Sequence, residues 1–276
     1  MSVSVLIVNY QTPALTIEAV RSALLEKEAT EIIVVENGSA DGSWEVLQEH
    51  FATSVRVKLI KSERNLGFGG GNNLAARAAT QPLLFLLNSD AGFVPGCLSI
   101  LLEQFGTVDD AGIIAPAVFR GTTRELQIEA CGPIPTARRI LTQQSKNYGT
   151  STTPDWVGGA AMLIPSALFQ SVGGFDEDIF MYFEDVLLCW RVRRLGYEIY
   201  RNLNAGVEHL GGMSYESDTQ KKTDYFLAQD VFLKKIGENL AMRSLVKLGR
   251  IPVTHARRTL ASRMSGMNPL PTKSRR

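Results

Sequence analysis

Over its first hundred residues the chain alternates short apolar runs with amphipathic ones, and no other feature narrows its folds so much. Residues 3–8 form a β-branched and apolar run, as a strand covered on both faces requires. Thr12 and Pro13 then open a helix with Ala19, Val20, Ala23 and Leu24 on its apolar face. Strands are predicted again over 32–35, 55–60 and 82–87, with helices over 44–51, 74–80 and 98–105. Strands alternating with helices build a parallel sheet, whose ligands bind beyond the strand carboxyl ends. The fold class is therefore α/β, Rossmann-like, with a mostly parallel central sheet.

Beyond residue 110 the pattern loosens. Residues 113–119 and 160–164 read as strands, 120–154 as variable loop and hairpin, and 185–195 as a helix. Residues 198–200 read as a short strand and 224–236 as the last helix of the body. We place one domain over 1–240, in halves 1–105 and 106–240, and a basic tail over 241–276. The tail holds nine Lys/Arg and no acid, which leaves 20 basic and 28 acidic side chains in residues 1–240. On an ideal helix over 240–251, Arg243, Lys247 and Arg250 form one stripe, and Ala241, Leu245 and Leu248 a second about 200° away. Such a helix suits an anionic interface, and equally suits packing on the domain or on a second subunit.

Apolar residues at 45% and charged residues at 21% exclude collagen, coiled coil and wholesale disorder. No window approaches 18 uninterrupted apolar residues, so no membrane span is expected. The amino terminus reads as a strand rather than a signal peptide. Cys97, Cys131 and Cys189 suggest neither a disulfide framework nor a zinc knuckle, so a cytoplasmic protein is expected, with its tail on the inner face of the plasma membrane.

The familiar phosphate motifs fail. Residues 67–72, Gly-Phe-Gly-Gly-Gly-Asn, put Asn where a dinucleotide fingerprint needs its third glycine, and no Gly-Lys-Ser/Thr occurs. Four glycines in five residues still let backbone N–H groups approach an anion or a ring, or make a flexible turn. Glu36, directly after an apolar strand, can accept from a ribose hydroxyl or a base N–H, whereas Asp41 suits a helix N-cap. Asp90 ends the segment Leu-Leu-Asn-Ser-Asp and offers an oxygen to Mg²⁺ or Mn²⁺ bridging a diphosphate. Glu184 and Asp185 open a helix, where the dipole favours acids whatever their function. His209 stands beside Gly211 and Gly212 and is one of three histidines, a ligand or a structural imidazole.

Taken in order, these clusters resemble the bacterial family 2 glycosyltransferases of GT-A fold, closest to the rhamnosyltransferase-like branch. The carrying segments lie at 3–10, 34–43, 65–72, 86–90, 173–176, 183–191 and 209–214, so the resemblance covers residues 3–215. It implies an inverting, metal-dependent transfer of one sugar from a nucleoside-diphosphate sugar, with dTDP-rhamnose as the expected donor. The implied acceptor is a glycan or polyprenyl-diphosphate-linked sugar of the cell surface; no nucleic acid is expected. Residues 1–105 become the nucleotide-sugar half and 106–240 the acceptor and catalytic half. Asn9, Glu36, Asn37, Asn65, Gly67, Gly69 and Asn88 are implied on the donor side, and Trp156 and Gly158–Ala161 (Gly159 among them) on the acceptor side. Asp90 and His209 are implied as ligands of a divalent cation, a nitrogen ligand favouring Mn²⁺ over Mg²⁺. Asp185 is implied as the catalytic base, with Glu184 supporting it or gripping the acceptor.

Some positions depart from the family pattern. Glu36 stands where Asp is usual, Asn88 replaces the first acid of the metal element, and Leu187 replaces a common acid. No Gln-X-X-Arg-Trp occurs, so one sugar per encounter is expected rather than polymerisation. A nucleotidyltransferase would carry a Gly-rich, basic signature near the amino terminus, where this chain has Asn9-Tyr10-Gln11. A non-catalytic sugar-nucleotide-binding module would have no use for Asp90, Asp185 and His209 together.

Overall fold

A computed structural model describes residues 1–123, 125–144, 151–211 and 218–250. The first half runs β1 (Val3–Asn9), α1 (Pro13–Leu25), β2 (Ala29–Glu36), α2 (Ser43–Phe51), β3 (Val57–Lys61), α3 (Gly67–Ala78), β4 (Leu83–Asn88), β5 (Ala91–Phe93) and α4 (Cys97–Phe105). The second half continues with β6 (Ala111–Arg120), β7 (Glu125–Leu126), β8 (Cys131–Gly132), α5 (Ala137–Leu141), β9 (Trp156–Val157), β10 (Ala161–Pro165) and α6 (Ser166–Ser171). It ends with α7 (Glu184–Arg194), β11 (Glu198–His209), α8 (Asp218–Lys235) and α9 (Leu240–Gly249).

Among the described residues nine strands form one sheet in the order β3-β2-β1-β4-β10-β6-β11-β5, with β7 also on β6. The pairs β3–β2, β2–β1, β1–β4 and β6–β11 are parallel, and β10 is inserted antiparallel between β4 and β6. This is the α/β, mostly parallel sheet expected. Side chains alternate along β1: Val5 and Ile7 pack toward α1 and α4, and Leu6 toward α3 and α6. A third cluster joins α5, α7, α8 and α9 through Ala137, Val186, Phe232 and Val246. Register places Asn9 opposite Glu36 and Val8 opposite Asn88, so β1, β2 and β4 end together at one edge.

Three expectations on the elements need correction. The helix expected over 74–80 begins at Gly67, because the glycines are a packing surface. A Cβ on Gly69 would lie 2.9 Å from Phe175 Cβ, and one on Gly71 would lie 2.7 Å from Val8 Cγ1. The short strand at 198–200 is the start of the 12-residue β11. Residues 202–206 look like a turn, but they form a register shift against β6, after which pairing resumes to His209. The helix expected from 224 starts at Asp218.

The tail's first ten residues are also oriented differently from an interfacial helix led by its basic stripe. Arg243 and Lys247 each pair with Asp230 of α8, at 2.8 and 2.9 Å. Arg250 lies over the Phe226 ring, 4.6 Å from its centroid. Val246 is buried in the third cluster, while Leu245 and Leu248 remain exposed. The basic stripe therefore faces the domain and the apolar stripe faces out. Residues 251–276 lie outside the described residues, as do Gly212, Met213 and Ser214 of the 209–214 segment.

Candidate active site

Two cavities meet at the strand-end edge. One, of about 460 Å³, is lined by Tyr10, Asn37, Asn65, Gly67 and Asp90, and the other, of about 840 Å³, by Trp156, Gly159, Glu184, Asp185 and His209. Phe68, Asn88 and Met181 line both and form the partition between them. Of the residues implied on the donor and acceptor sides, Asn37, Asn65, Gly67, Asn88, Trp156 and Gly158–Ala160 line these cavities.

On the smaller cavity the polar residues brace one another. The Asn37 side-chain nitrogen donates to Asn65 Oδ1 at 3.0 Å and to the Gly67 carbonyl at 3.2 Å, and its oxygen accepts from the Leu66 amide. Gly67 has φ +73° and its Cβ position is 2.2 Å from the Phe180 carbonyl oxygen, so only glycine fits this turn. Glu36, Asn9 and Gly69 do not line the wall. Glu36 is buried and accepts from the Ser39 amide at 2.8 Å. Asn9 is buried between Thr16 and Ser39. Gly69 lies under Phe175. The structure makes these three scaffold residues behind the wall, since their polar or packing capacity is used within the fold. The amides of Leu66, Gly67 and Phe68 are likewise taken, by Asn37, Asn65 and the Phe180 carbonyl, so the glycine cluster presents no free anion cradle there.

On the larger cavity, α7 delivers two acids. The residues preceding it, Tyr182 and Phe183, both have left-handed backbone, with φ 69° and 65°. Bulky residues rarely adopt that conformation, and the surrounding structure must hold it. Phe183 stacks on Phe232 with centroids 5.3 Å apart, and Tyr225 contacts both Tyr182 and Phe183. Helix α8 thereby fixes the strained turn that aims Asp185. Asp185 Oδ2 accepts from the Gly159 amide at 2.9 Å, and Oδ1 from the Val186 amide at 2.7 Å. Burial raises the Asp185 carboxyl above the ordinary range, against the pull of those two amides. Glu184 is raised well above its ordinary value, first by burial and then by the Asp185 charge. Its Oε2 is buried with no hydrogen-bond partner among the described residues. Burial and the neighbouring Asp185 charge thus both favour the protonated form of Glu184. Trp156 is anchored by its indole N–H on the Pro133 carbonyl at 3.1 Å and forms part of the same wall.

The third corner is built by pairing of distant segments. Antiparallel β5–β11 sets Ala91 opposite His209, which brings Asp90 alongside the end of β11. Asp90 Oδ1 and His209 Nε2 are 3.2 Å apart, and Asp90 Oδ2 accepts from the Gly211 amide at 3.0 Å. Asn88 Nδ2 lies 3.2 Å from the same His209 nitrogen, while Asn88 Oδ1 is buried without a partner. The Asp90 carboxyl is buried, which raises it, yet it ends below its ordinary value because His209 and the Gly211 amide favour the charged form. Among the described residues no three His, Cys, Asp or Glu converge. A carboxylate oxygen, an imidazole nitrogen and an orphaned amide oxygen fit a divalent cation that takes its remaining ligands from substrate phosphates and water. Sequence reasoning missed Gln127, which contacts His209 from the segment read only as variable loop.

Comparison with known proteins bears on this geometry. The family model for glycosyl transferase family 2 matches residues 4–169. The chain is 36% identical over 102 residues to the succinoglycan biosynthesis protein ExoU of Rhizobium meliloti, covering 37% of this chain and 30% of that protein. It is 25% identical over 201 residues to an N-acetylglucosaminyl-diphospho-decaprenol L-rhamnosyltransferase of Mycobacterium tuberculosis, covering 63% of this chain and 64% of that protein. The chain thus spans less than two thirds of the length of either relative. Its fold is similar to the crystal structure of GalNAc-T7 with UDP, GalNAc and Mn²⁺, with a TM-score of 0.65 at 17% identity over 84% of this chain and 47% of that one.

Proposed function

Because the chain belongs to glycosyl transferase family 2, we propose that it transfers one sugar from a nucleoside-diphosphate sugar to an acceptor hydroxyl, inverting the anomeric configuration. The observation that carries this reading is the placement of Asp185 on a large cavity that shares a wall with a smaller polar one. The donor occupies the smaller cavity and the acceptor the larger. Asp185 accepts the hydroxyl proton while that oxygen bonds to the anomeric carbon, and the bond from that carbon to the diphosphate oxygen breaks with its electrons. A single displacement of this kind needs no glycosyl-enzyme. Its raised carboxyl suits the role, because a base works best with a pKa near the operating pH. Asp90 and His209 would hold a divalent cation, Mn²⁺ in preference to Mg²⁺, and when bound it supplies Lewis-acid stabilisation of the departing diphosphate. Protonation of Glu184, which its burial and the Asp185 charge favour, keeps a second negative charge away from the site.

The donor we propose is dTDP-rhamnose and the acceptor a polyprenyl-diphosphate-linked sugar, in cell-surface polysaccharide synthesis. The printed activity of the mycobacterial relative supports both. The apolar stretch of the larger cavity at Ile140, Leu141, Phe226 and Val246 also suits an acceptor with a lipid portion. We place the reaction at the cytoplasmic leaflet. No described helix is long and apolar enough to cross a membrane. The exposed Leu245 and Leu248, followed by six Lys/Arg in residues 251–276, suit a peripheral contact with anionic lipid.

A thermal-shift panel of UDP, dTDP, GDP and their common sugars, with and without Mn²⁺, tests the reading. A ligand at 100 times its Kd stabilises the folded state by about 2.7 kcal/mol. The expected outcome is a Mn²⁺-dependent shift with dTDP and dTDP-rhamnose above the others. A panel with no shift for any nucleotide would overturn the transferase reading.

A further inference from the structure

Gln127 has no role in the reaction assigned above, yet it lines the larger cavity and makes two hydrogen bonds to a single residue of the metal corner. Its side-chain nitrogen donates to the His209 carbonyl at 3.1 Å, and its Oε1 lies 3.3 Å from His209 Nδ1. The side chain is buried, and its backbone amide is tied to the Val118 carbonyl at 2.8 Å. The hairpin of β6 and β7, which pairs Phe119 with Leu126, turns the chain back and delivers Gln127 beside the end of β11.

The chemistry of an amide fixes the rest. A peptide carbonyl only accepts, so the nitrogen end of Gln127 must face the His209 carbonyl. The oxygen end then faces Nδ1, and an oxygen there requires Nδ1 to carry the proton. In the neutral ring, Nε2 is consequently the unprotonated nitrogen. It points toward Asp90 Oδ1, 3.2 Å away, and accepts from Asn88 Nδ2 at 3.2 Å. A carboxylate oxygen and an imidazole lone pair at that separation repel unless a positive charge lies with them, either a second ring proton or a metal cation in its place.

We propose that Gln127 is a positioning residue that locks His209 in its Nδ1–H tautomer, so that Nε2 and Asp90 are preset as a two-ligand clamp for a divalent cation. The role in cation binding rests on the metal reading above; the tautomer does not. Partners that orient a ligating histidine typically contribute about 10–100-fold to metal affinity.

The test uses the full chain with ¹⁵N-labelled histidine, of which there are only three, in metal-free buffer at a pH high enough that the ring signals no longer move. Wild-type His209 is expected to give a protonated-type signal at Nδ1 and an unprotonated-type signal at Nε2. Gln127→Leu is expected to mix or invert the tautomers and to weaken Mn²⁺ binding about 10–100-fold, read by electron paramagnetic resonance with dTDP present. Gln127→Glu keeps an acceptor for Nδ1–H, so it should keep the tautomer, and a changed tautomer in that variant would also overturn the proposal. A wild-type His209 protonated at Nε2 would overturn the proposal, as would Gln127→Leu with unchanged tautomer or unchanged Mn²⁺ affinity. Failure of wild type to bind Mn²⁺ at all, with the Nδ1–H signal present, would instead refute the metal reading and with it the clamp, while leaving the tautomer lock standing.

Discussion

Two adjacent acids on one helical turn sit in different surroundings. Asp185 is half-buried and its two oxygens rest on backbone amides, whereas Glu184 is buried with one oxygen unpartnered. Replacing Asp185 by Asn removes the proton acceptor that we propose but keeps shape and a hydrogen-bonding oxygen. Transfer by Asp185→Asn should fall by about 10²–10⁴-fold, while the nucleotide-induced thermal shift stays at the wild-type value. Loss of that shift would show that Asp185 holds the donor rather than the proton. Glu184 makes a separate prediction, in stability. Its folded pKa is raised, so the folded state binds its proton more tightly than the unfolded chain does. Stability is then full below the ordinary Glu value of about 4.3 and falls as pH rises toward the folded value, by up to about 1.4 kcal/mol per pH unit. Glu184→Gln mimics the protonated form and should flatten that decline. Urea titrations of both chains across pH 5 to 8 compare the slopes, and parallel slopes would refute a neutral Glu184.

At the scale of elements, α3 shows how a sequence signal can be right about importance and wrong about cause. Its glycines resemble a phosphate loop, but the amides at its start are engaged, and the missing side chains admit Phe175 and Val8. Gly69→Ala places a methyl 2.9 Å from Phe175 Cβ, an atom close to the backbone with little room to give. Overpacking of this kind costs typically about 1–3 kcal/mol, even though alanine is the better helix former. Chemical denaturation should show the loss, and an equal or higher stability would mean that the helix shifts freely. The strands of the first half were legible because buried parallel strands are written as apolar runs, and the polar residues closing them marked the site edge. What periodicity does not carry is long-range pairing. β11 continues through a bulge that looks like a turn, and Gln127 reaches His209 only because β6 and β7 fold back. Nor does a helical wheel state which stripe faces inward. Asp230 on α8 decides that for α9 by taking both Arg243 and Lys247.

For the whole molecule, the tail divides at residue 250 between α9, which belongs to the fold, and the basic segment that we propose meets an anionic surface. Val246 closes the third apolar cluster, and Val246, Gly249 and Arg250 form part of the larger cavity's wall. A chain ending at residue 240 therefore loses core packing and acceptor wall together. Burying a valine contributes about 1.5–3 kcal/mol, so this truncation should lower the melting temperature by several degrees and weaken acceptor use. A chain ending at residue 250 keeps α9, its ion pairs with Asp230 and both cavities. Of the Lys and Arg side chains it lacks only Arg257, Arg258, Arg263, Lys273, Arg275 and Arg276, each worth about 1 kcal/mol at an anionic surface. Sedimentation with vesicles rich in anionic lipid should separate the two effects. The 250-residue chain is expected to melt as the full chain does, to bind donor normally and to leave the vesicles, while water-soluble acceptors are still glycosylated. If it sediments as strongly as the full chain, the basic segment is not the anchor, and contact through Leu245 and Leu248 alone becomes the better account.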